Sequence, residues 1–164
     1  MIDVTAPTSE LPFWETKSLD NMSDDEWESL CDGCALCCLQ KLEDQDSGEI
    51  AFTRVACHML ECSSCRCSDY QNRRTNVPGC VDVRPLDADK LNWLPWSCAY
   101  RTLAEGRPLA PWHPLVSGDP QSIHVAGVSV IRWVVAPDSD NTDAETLAEH
   151  HIIELSDLPG QGDV

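Results

Sequence analysis

Basic residues are scarce in this chain of 164 residues, in which 11 Lys and Arg stand against 28 Asp and Glu and the formal net charge is −17. Affinity for nucleic acid comes mostly from cations that neutralise phosphates, and anionic membrane surfaces attract the same cations. The sequence has one dense basic point, Arg73-Arg74. We therefore expect neither a nucleic-acid partner nor a membrane partner.

Long apolar runs and a secretory leader pattern are also absent from the sequence. The longest apolar run, residues 128–136, is interrupted by Ser129 and Arg132, and it is too short to cross the roughly 30 Å of bilayer hydrocarbon. The first residues, MIDVTAPTSELPFWE, are acidic and lack a basic segment followed by an apolar one. We therefore expect a cytoplasmic protein, whose thiols are kept reduced.

Cysteine is the residue that the chain has in excess, with ten in all. The apolar fraction of 42% includes these cysteines, so the remaining apolar side chains make a thin core. In a reducing compartment such cysteines are metal ligands more often than disulfides. No nucleophile elbow, HExxH motif or phosphate-binding loop is present, so the sequence predicts no particular reaction.

The first cysteine group is the segment CDGCALCC, which contains Cys31, Cys34, Cys37 and Cys38. If a helix continues through it, the four sulfurs lie within a sector of about 120°, and Cys37 and Cys38 point about 100° apart. If the chain unwinds at Gly33, the two-residue spacings still form chelate loops. One tetrahedral ion takes four thiolates. The sequence therefore predicts more than one metal ion per chain, as two zinc-type sites or one polynuclear iron cluster.

The second cysteine group lies in a polar stretch and contains Cys57, Cys62, Cys65, Cys67 and Cys80, with Cys98 further on. Residues 57–80 have too few apolar side chains to offset their ordering entropy without a cross-link. Among the histidines His58, beside Cys57, is the best candidate for completing a site. The others are weaker candidates: His113, His124, His150 and His151. The tryptophans are predicted to cover the metal site: Trp93, Trp96 and Trp112.

Local patterns predict a small, irregular α+β domain organised around metal, with short helices and few strands. A capping box at Ser23 and Glu26 starts a helix that runs into Cys31. Further elements are predicted as a turn over residues 41–48, a strand over 49–55, a helix within 69–74, a helix over 97–104, a strand over 128–135, a helix over 145–151 and a helix end or short strand over 152–155. Residues 1–10 are expected to form a flexible arm, 11–155 one metal-binding domain and 156–164 a flexible tail.

The cysteine pattern, followed by Cys67-Ser-Asp-Tyr70-x2-Arg73 and Cys80, resembles the CxxCxxCC family of zinc- or iron-chelating domains. The stretches WLPWSCAYRTLAEGRPL and WHPLVSG extend the resemblance to the YcgN-type bacterial family, over residues 11–135. That family has no assigned activity, so the resemblance implies metal chelation and no reaction. Cys62 lies outside the family pattern. By position, the resemblance implies these metal ligands: Cys31, Cys34, Cys37, Cys38, Cys57, Cys65, Cys67, Cys80 and Cys98.

These observations favour a cytoplasmic protein that binds zinc or iron, the latter including an iron–sulfur cluster, through cysteine thiolates. It would act in metal handling or as a metal-stapled interaction module. One alternative is an iron–sulfur redox or modification enzyme. Another is an acidic adaptor with purely structural zinc. The expected partners are metal ions, and the sequence leaves any protein partner open.

Overall fold

Short helices and short strands build the part of the chain that this computed structural model describes, residues 10–132, 136–137 and 152–153. The α-helices there are α1 (Phe13–Thr16), α2 (Asp24–Ser29), α3 (Arg73–Asn76), α4 (Ala88–Trp93), α5 (Ala99–Ala104), α6 (Pro114–Ser117) and α7 (Ser122–Val125). The strands are β1 (Leu39–Glu43), β2 (Ile50–Ala56), β3 (Leu60–Glu61), β4 (Arg66–Cys67), β5 (Ala136–Pro137) and β6 (Ile152–Ile153). The prediction of a small α+β domain is confirmed. None of the described helices has the length and apolar content needed to cross a bilayer.

Helix α2 begins where the capping box predicts. The Ser23 hydroxyl accepts the Glu26 N–H at 3.2 Å, and the Glu26 carboxylate accepts the Ser23 N–H at 2.9 Å. The helix ends at Ser29, before the first cysteine. Left-handed backbone follows at Gly33 (φ 78°) and Ala35 (φ 61°), and both residues break the helical path. The prediction that the helix runs into the cysteines is wrong, and the first group lies on a loop that ends in a 3₁₀ turn at Leu36–Cys38.

The larger sheet is organised around β2, which confirms the strand predicted over residues 49–55. Strand β1 pairs antiparallel with β2, from Leu39 opposite Ala56 to Glu43 opposite Ile50. Strand β5 adds a short parallel pairing and β6 a short antiparallel one to β2. The turn predicted over residues 41–48 is correct only for its second half, because residues 41–43 belong to β1. Their side chains are polar, so the sequence pattern does not indicate a strand. The strand is specified by its pairing with β2.

A second, two-stranded sheet carries the middle cysteines. Strands β3 and β4 pair antiparallel, with Leu60 opposite Cys67 and Glu61 opposite Arg66. The loop between them holds Cys65, whose φ of 56° lies in the left-handed region. The predicted helix in residues 69–74 is found later in the chain, as the single turn α3.

Helices α4 and α5 flank Cys98 in the chain and fix its position. The sequence pattern does not predict α4, where the Asp87 carboxylate caps the helix by accepting the Lys90 N–H at 2.9 Å. Helix α5 confirms the helix predicted to end at Ala104, and Gly106 follows it at φ 72°. Its N-cap is Cys98 rather than the preceding serine. Cys98 is therefore held at the start of a helix that is packed into the interior.

Two hydrophobic clusters form the core. The first, here called the sheet-side cluster, has these buried members: Cys34, Ala35, Leu36, Leu39, Ala56, Leu60, Cys65, Ile123, Val128 and Val130. The second, here called the helix-side cluster, has these: Met22, Trp27, Leu30, Leu94, Ala99, Tyr100 and Leu109. The three tryptophans predicted to cover the metal site are divided between the two clusters. Trp96 and Trp112 pack on the sheet-side cluster, and Trp93 packs on the helix-side cluster.

The strand predicted over residues 128–135 is wrong in its described part. Val130–Arg132 form a 3₁₀ turn, and the Val130 N–H donates to the Cys34 carbonyl at 3.0 Å. The β-branched residues therefore serve to fill the sheet-side cluster and to fasten the cysteine loop, not to extend a sheet. Residues 133–135 and the helix predicted over 145–151 lie outside the described residues. Strand β6 confirms the strand alternative for residues 152–155.

Tyr100 ties α5 to α2 and gives a test of the helix-side cluster. Its hydroxyl, in a side chain buried beside the Trp27 ring, donates to the Trp27 carbonyl at 2.8 Å. We expect Tyr100→Phe to lower the free energy of unfolding by about 1–2 kcal/mol, because a buried carbonyl loses its donor. Urea denaturation of the purified full chain measures the change.

Tyr70 supplies the matched control for this substitution. Its hydroxyl donates to the Glu28 carboxylate at 3.0 Å, but its side chain is 50% exposed and water replaces the lost bond. Tyr70→Phe is expected to change stability by less than about 0.5 kcal/mol. Equal losses in the two variants would contradict the role assigned to the Tyr100 hydroxyl.

Candidate metal centre

The first cysteine group is shaped by a tight loop directly after α2. Gly33 adopts a left-handed backbone, and the Asp32 carboxylate accepts the Cys34 N–H at 3.0 Å inside the turn. The bond from the Val130 N–H to the Cys34 carbonyl holds the far side of the loop. Residues 31–34 are called the CDGC loop below. The unwound alternative for this group is the one that the chain adopts.

Cys37 is the thiol around which most of the other cysteines gather. A charge on Cys37 raises the pKa of four other thiols, which places its sulfur within their electrostatic reach: Cys31, Cys34, Cys80 and Cys98. Cys38 is its direct neighbour, Cys57 acts on Cys38 and Cys80, and Cys67 acts on Cys80. Eight predicted ligands therefore share one neighbourhood, here called the thiol centre. Among the described residues, no three or more Cys, His, Asp or Glu side chains are placed so that they could hold one metal ion.

The thiol centre lies at the seam between the two hydrophobic clusters. Cys34 and Cys38 belong to or pack against the sheet-side cluster, whereas Cys37 and Cys98 pack against the helix-side cluster. Burial raises the pKa of Cys34 and Cys98 well above the usual range of a thiol. Cys31 keeps an exposed edge, yet the protein atoms packed around its sulfur raise its pKa to about 12. These thiols stay protonated unless a cation stabilises their thiolates.

Cys37 and Cys38 form a hydrogen-bonded pair. The bond from Cys38 is the largest effect on Cys37 and, with the nearby Lys41 ammonium, lowers the Cys37 pKa to about 7 against the opposing effect of burial. The same bond raises the pKa of Cys38. The expectation that these two side chains diverge by about 100° assumed a continuous helix, which the chain does not form here. We therefore argue the number of metal ions from the number of thiols.

Lys41 is a functional residue that the sequence analysis misses. Its ammonium donates to the carbonyls of Cys37 at 2.9 Å and Leu39 at 2.8 Å, and it lies 3.7 Å from the centre of the Trp93 ring. Burial lowers its pKa to about 8, while the neighbouring thiols oppose that shift. Its position in the sequence could have drawn attention to it, because Lys41 is the single basic residue between Lys17 and Arg54. It places one positive charge beside the thiol centre.

Cys65 is positioned differently from the other predicted ligands. It is buried in the sheet-side cluster, its Sγ lies 3.9 Å from the Cys62 carbonyl oxygen, and a bond with Ser129 opposes the rise in pKa that burial causes. Its cysteine neighbour is Cys62, the residue outside the family pattern. The structure thus groups Cys65 with Cys62, and its assignment as a ligand remains a prediction.

The three described histidines take no place in the thiol centre, and the candidates His150 and His151 lie outside the described residues. His58 is exposed. His113 is buried with both ring nitrogens engaged, since Nδ1 accepts the Leu115 N–H at 3.1 Å and Nε2 lies 2.9 Å from the Leu30 carbonyl. His124 Nδ1 lies 2.7 Å from the Ser129 hydroxyl. His113 is therefore a core histidine that links α6 to the end of α2.

The donor set fits a thiophilic metal. Soft thiolates select zinc, copper(I) and iron–sulfur clusters. The thiol centre offers eight cysteines as sources of such ligands, and Lys41 lies within electrostatic reach of several of them. Next to Cys98, Trp96 Nε1 and Ser97 Oγ are buried and have no hydrogen-bond partner among the described residues. Buried polar groups are usually satisfied, and donors around metal–thiolate sites bond to the sulfur ligands. The residues that are present therefore suit a thiolate-bound metal.

Comparison with known proteins agrees with this chemistry. Residues 30–99 match the CxxCxxCC family, described as a "Putative zinc- or iron-chelating domain". This match covers less than half of the chain and supports a metal-binding role. It is similar to UPF0260 proteins of Sinorhizobium fredii (57% identity, 79% of this chain and 83% of the relative), Rhizorhabdus wittichii (54%, 90% and 97%) and Azotobacter vinelandii (51%, 87% and 93%). It belongs to the UPF0260 family. No solved structure matches it.

Gly33 tests the shape of the CDGC loop. A Cβ added there would meet nothing within 4 Å, so the left-handed φ of 78° alone opposes a side chain. We expect Gly33→Ala to lower the free energy of unfolding by about 1–2 kcal/mol. Gly79 is the control, because its Cβ position is equally open and its φ is not in that region. Gly79→Ala should be neutral or stabilising by less than ~1 kcal/mol. Chemical denaturation of both variants decides, and a neutral Gly33→Ala contradicts the loop geometry.

Proposed function

We propose that this protein is a cytoplasmic, cysteine-ligated binding protein for zinc or iron, acting in metal handling or as a metal-stapled interaction module. The observation that carries the proposal is the thiol centre, where eight cysteines from distant parts of the chain lie in one neighbourhood that includes Lys41. A reducing compartment would keep these cysteines available as metal ligands.

The ligands proposed for the metal are the eight cysteines of the thiol centre, with Cys65 as a ninth from the family pattern. They are Cys31, Cys34, Cys37, Cys38, Cys57, Cys67, Cys80 and Cys98. A bound metal would supply positive charge to thiolates that burial otherwise keeps protonated. Binding then releases protons, and its free energy adds to the stability of the fold.

More than one metal ion per chain is proposed, because eight thiols exceed the four that one tetrahedral site uses. We expect anaerobically purified, untagged full chain to carry two or more zinc or iron ions in native mass spectrometry. Elemental analysis and acid-labile sulfide distinguish zinc from an iron–sulfur cluster. A single ion per chain, with the remaining thiols open to alkylation in the folded protein, contradicts the multinuclear proposal.

Two serine variants test which thiols matter. Cys34→Ser removes a buried member of the thiol centre, and we expect metal affinity to fall by more than the roughly 10- to 100-fold that loss of an outer-shell partner costs. Cys62→Ser is the matched control, since Cys62 lies in the loop between β3 and β4 with Cys65 and outside the family pattern. Competition with a chromogenic chelator measures both affinities. Equal losses in the two variants overturn the assignment of the ligands.

A further inference from the structure

A cavity of about 300 Å³ lies against the CDGC loop, between the loop that joins β3 to β4 and the start of α7. The residues used here that line it are Asp32, Gly33, Ser63, Arg66, Gln121 and His124. It is called the loop pocket below. Its volume is at the lower end of the range for sites that bind small molecules.

The loop pocket adjoins the thiol centre on the side of Cys31. Asp32 and Gly33 line the cavity, and in the chain they lie between Cys31 and Cys34, two members of the thiol centre. Arg66 lies close enough to Cys31 to lower the pKa of its thiol, against the stronger effect of the surrounding protein. Cys31 is also the exposed cysteine of the centre. A molecule in the pocket would therefore lie next to the accessible edge of the thiol centre.

Arg66 gives the pocket lining a free positive charge. The chain carries a net charge of −17, and among the described residues six basic side chains pair with carboxylates. Within the described residues Arg66 is exposed and pairs with no carboxylate. The side chains of Ser63 and Gln121 add further donors and bond to no other described side chain or backbone group. A guanidinium flanked by neutral donors is an arrangement that binds a carboxylate.

Asp32 contributes an acceptor to the pocket lining. It is buried, and the Cys34 backbone N–H donates to its carboxylate at 3.0 Å. A carboxylate has about four acceptor positions, so Asp32 keeps capacity for a donor on a ligand. His124 bonds to Ser129 through Nδ1 and leaves Nε2 without a partner among the described residues. A carboxylate on the ligand would be repelled here and must face Arg66.

We propose that the loop pocket binds a small carboxylate that also carries a hydroxyl or amino group, with the carboxylate on Arg66 and the donor group on Asp32. The proposal concerns the cavity and holds whichever metal the thiol centre takes. The surface beside Cys31 would then bind a ligand in addition to the metal.

The test is a titration of the full chain, as purified with its metal, with L-lactate, L-alanine and propionate at constant ionic strength. Backbone amide NMR shifts of Gly33, Ser63 and Gln121 report binding. We expect saturable shifts with L-lactate or L-alanine and affinity at least ~5-fold lower for propionate, which lacks the donor group. No saturable shift with any probe overturns the proposal, and equal affinity for L-lactate, L-alanine and propionate overturns the role of Asp32.

Two arginine variants separate recognition from general charge. Arg66→Ala should weaken binding of the preferred probe at least ~10-fold, because the charge-assisted bonds are lost. Arg74→Ala should leave it unchanged, because Arg74 pairs with Asp82 and does not line the pocket. Equal effects in the two variants overturn the proposal. Arg66→Ala should also retain its metal, so that a failure of the pocket is distinguishable from a failure of the thiol centre.

Discussion

The gathering of eight thiols in one neighbourhood, with members packed on both hydrophobic clusters, is the constraint on which the rest of this structure depends. Cys34 and Cys38 pack with the sheet-side cluster, and Cys37 and Cys98 pack with the helix-side cluster. Burial makes charged thiolates costly there, and Lys41 is the fixed cation beside them. A metal bound as proposed would supply the missing charge and would join the clusters. Metal binding and folding would then be one equilibrium.

The CDGC loop connects the two sites that are proposed here. Its left-handed Gly33 turns the chain away from α2, and Asp32 closes the turn by accepting the Cys34 N–H. One side of the loop presents cysteines to the thiol centre, and the other side forms a wall of the loop pocket. These four residues thus contribute to both proposed sites.

The sequence by itself determined the features that depend on near neighbours along the chain. The capping box at Ser23, the alternating strand β2 and the helix that ends at Ala104 are local patterns, and each is found as predicted. The cysteine spacing was sufficient to assign the family and the kind of ligand. Composition was sufficient to indicate that apolar burial is limited. These properties follow from a residue and those within about four positions of it.

Tertiary structure alone decided which distant residues meet. Strand β1 is polar and exists because it pairs with β2, and the β-branched segment at Val130 bonds to Cys34 instead of entering a sheet. Lys41 reaches the thiol centre by folding over Trp93, and Cys65 is drawn into the sheet-side cluster with Cys62. No local pattern contains these contacts, because each is fixed by packing between segments far apart in the chain. The spacing of cysteines therefore predicts that metal is bound, whereas tertiary packing decides which of the thiols lie near one another.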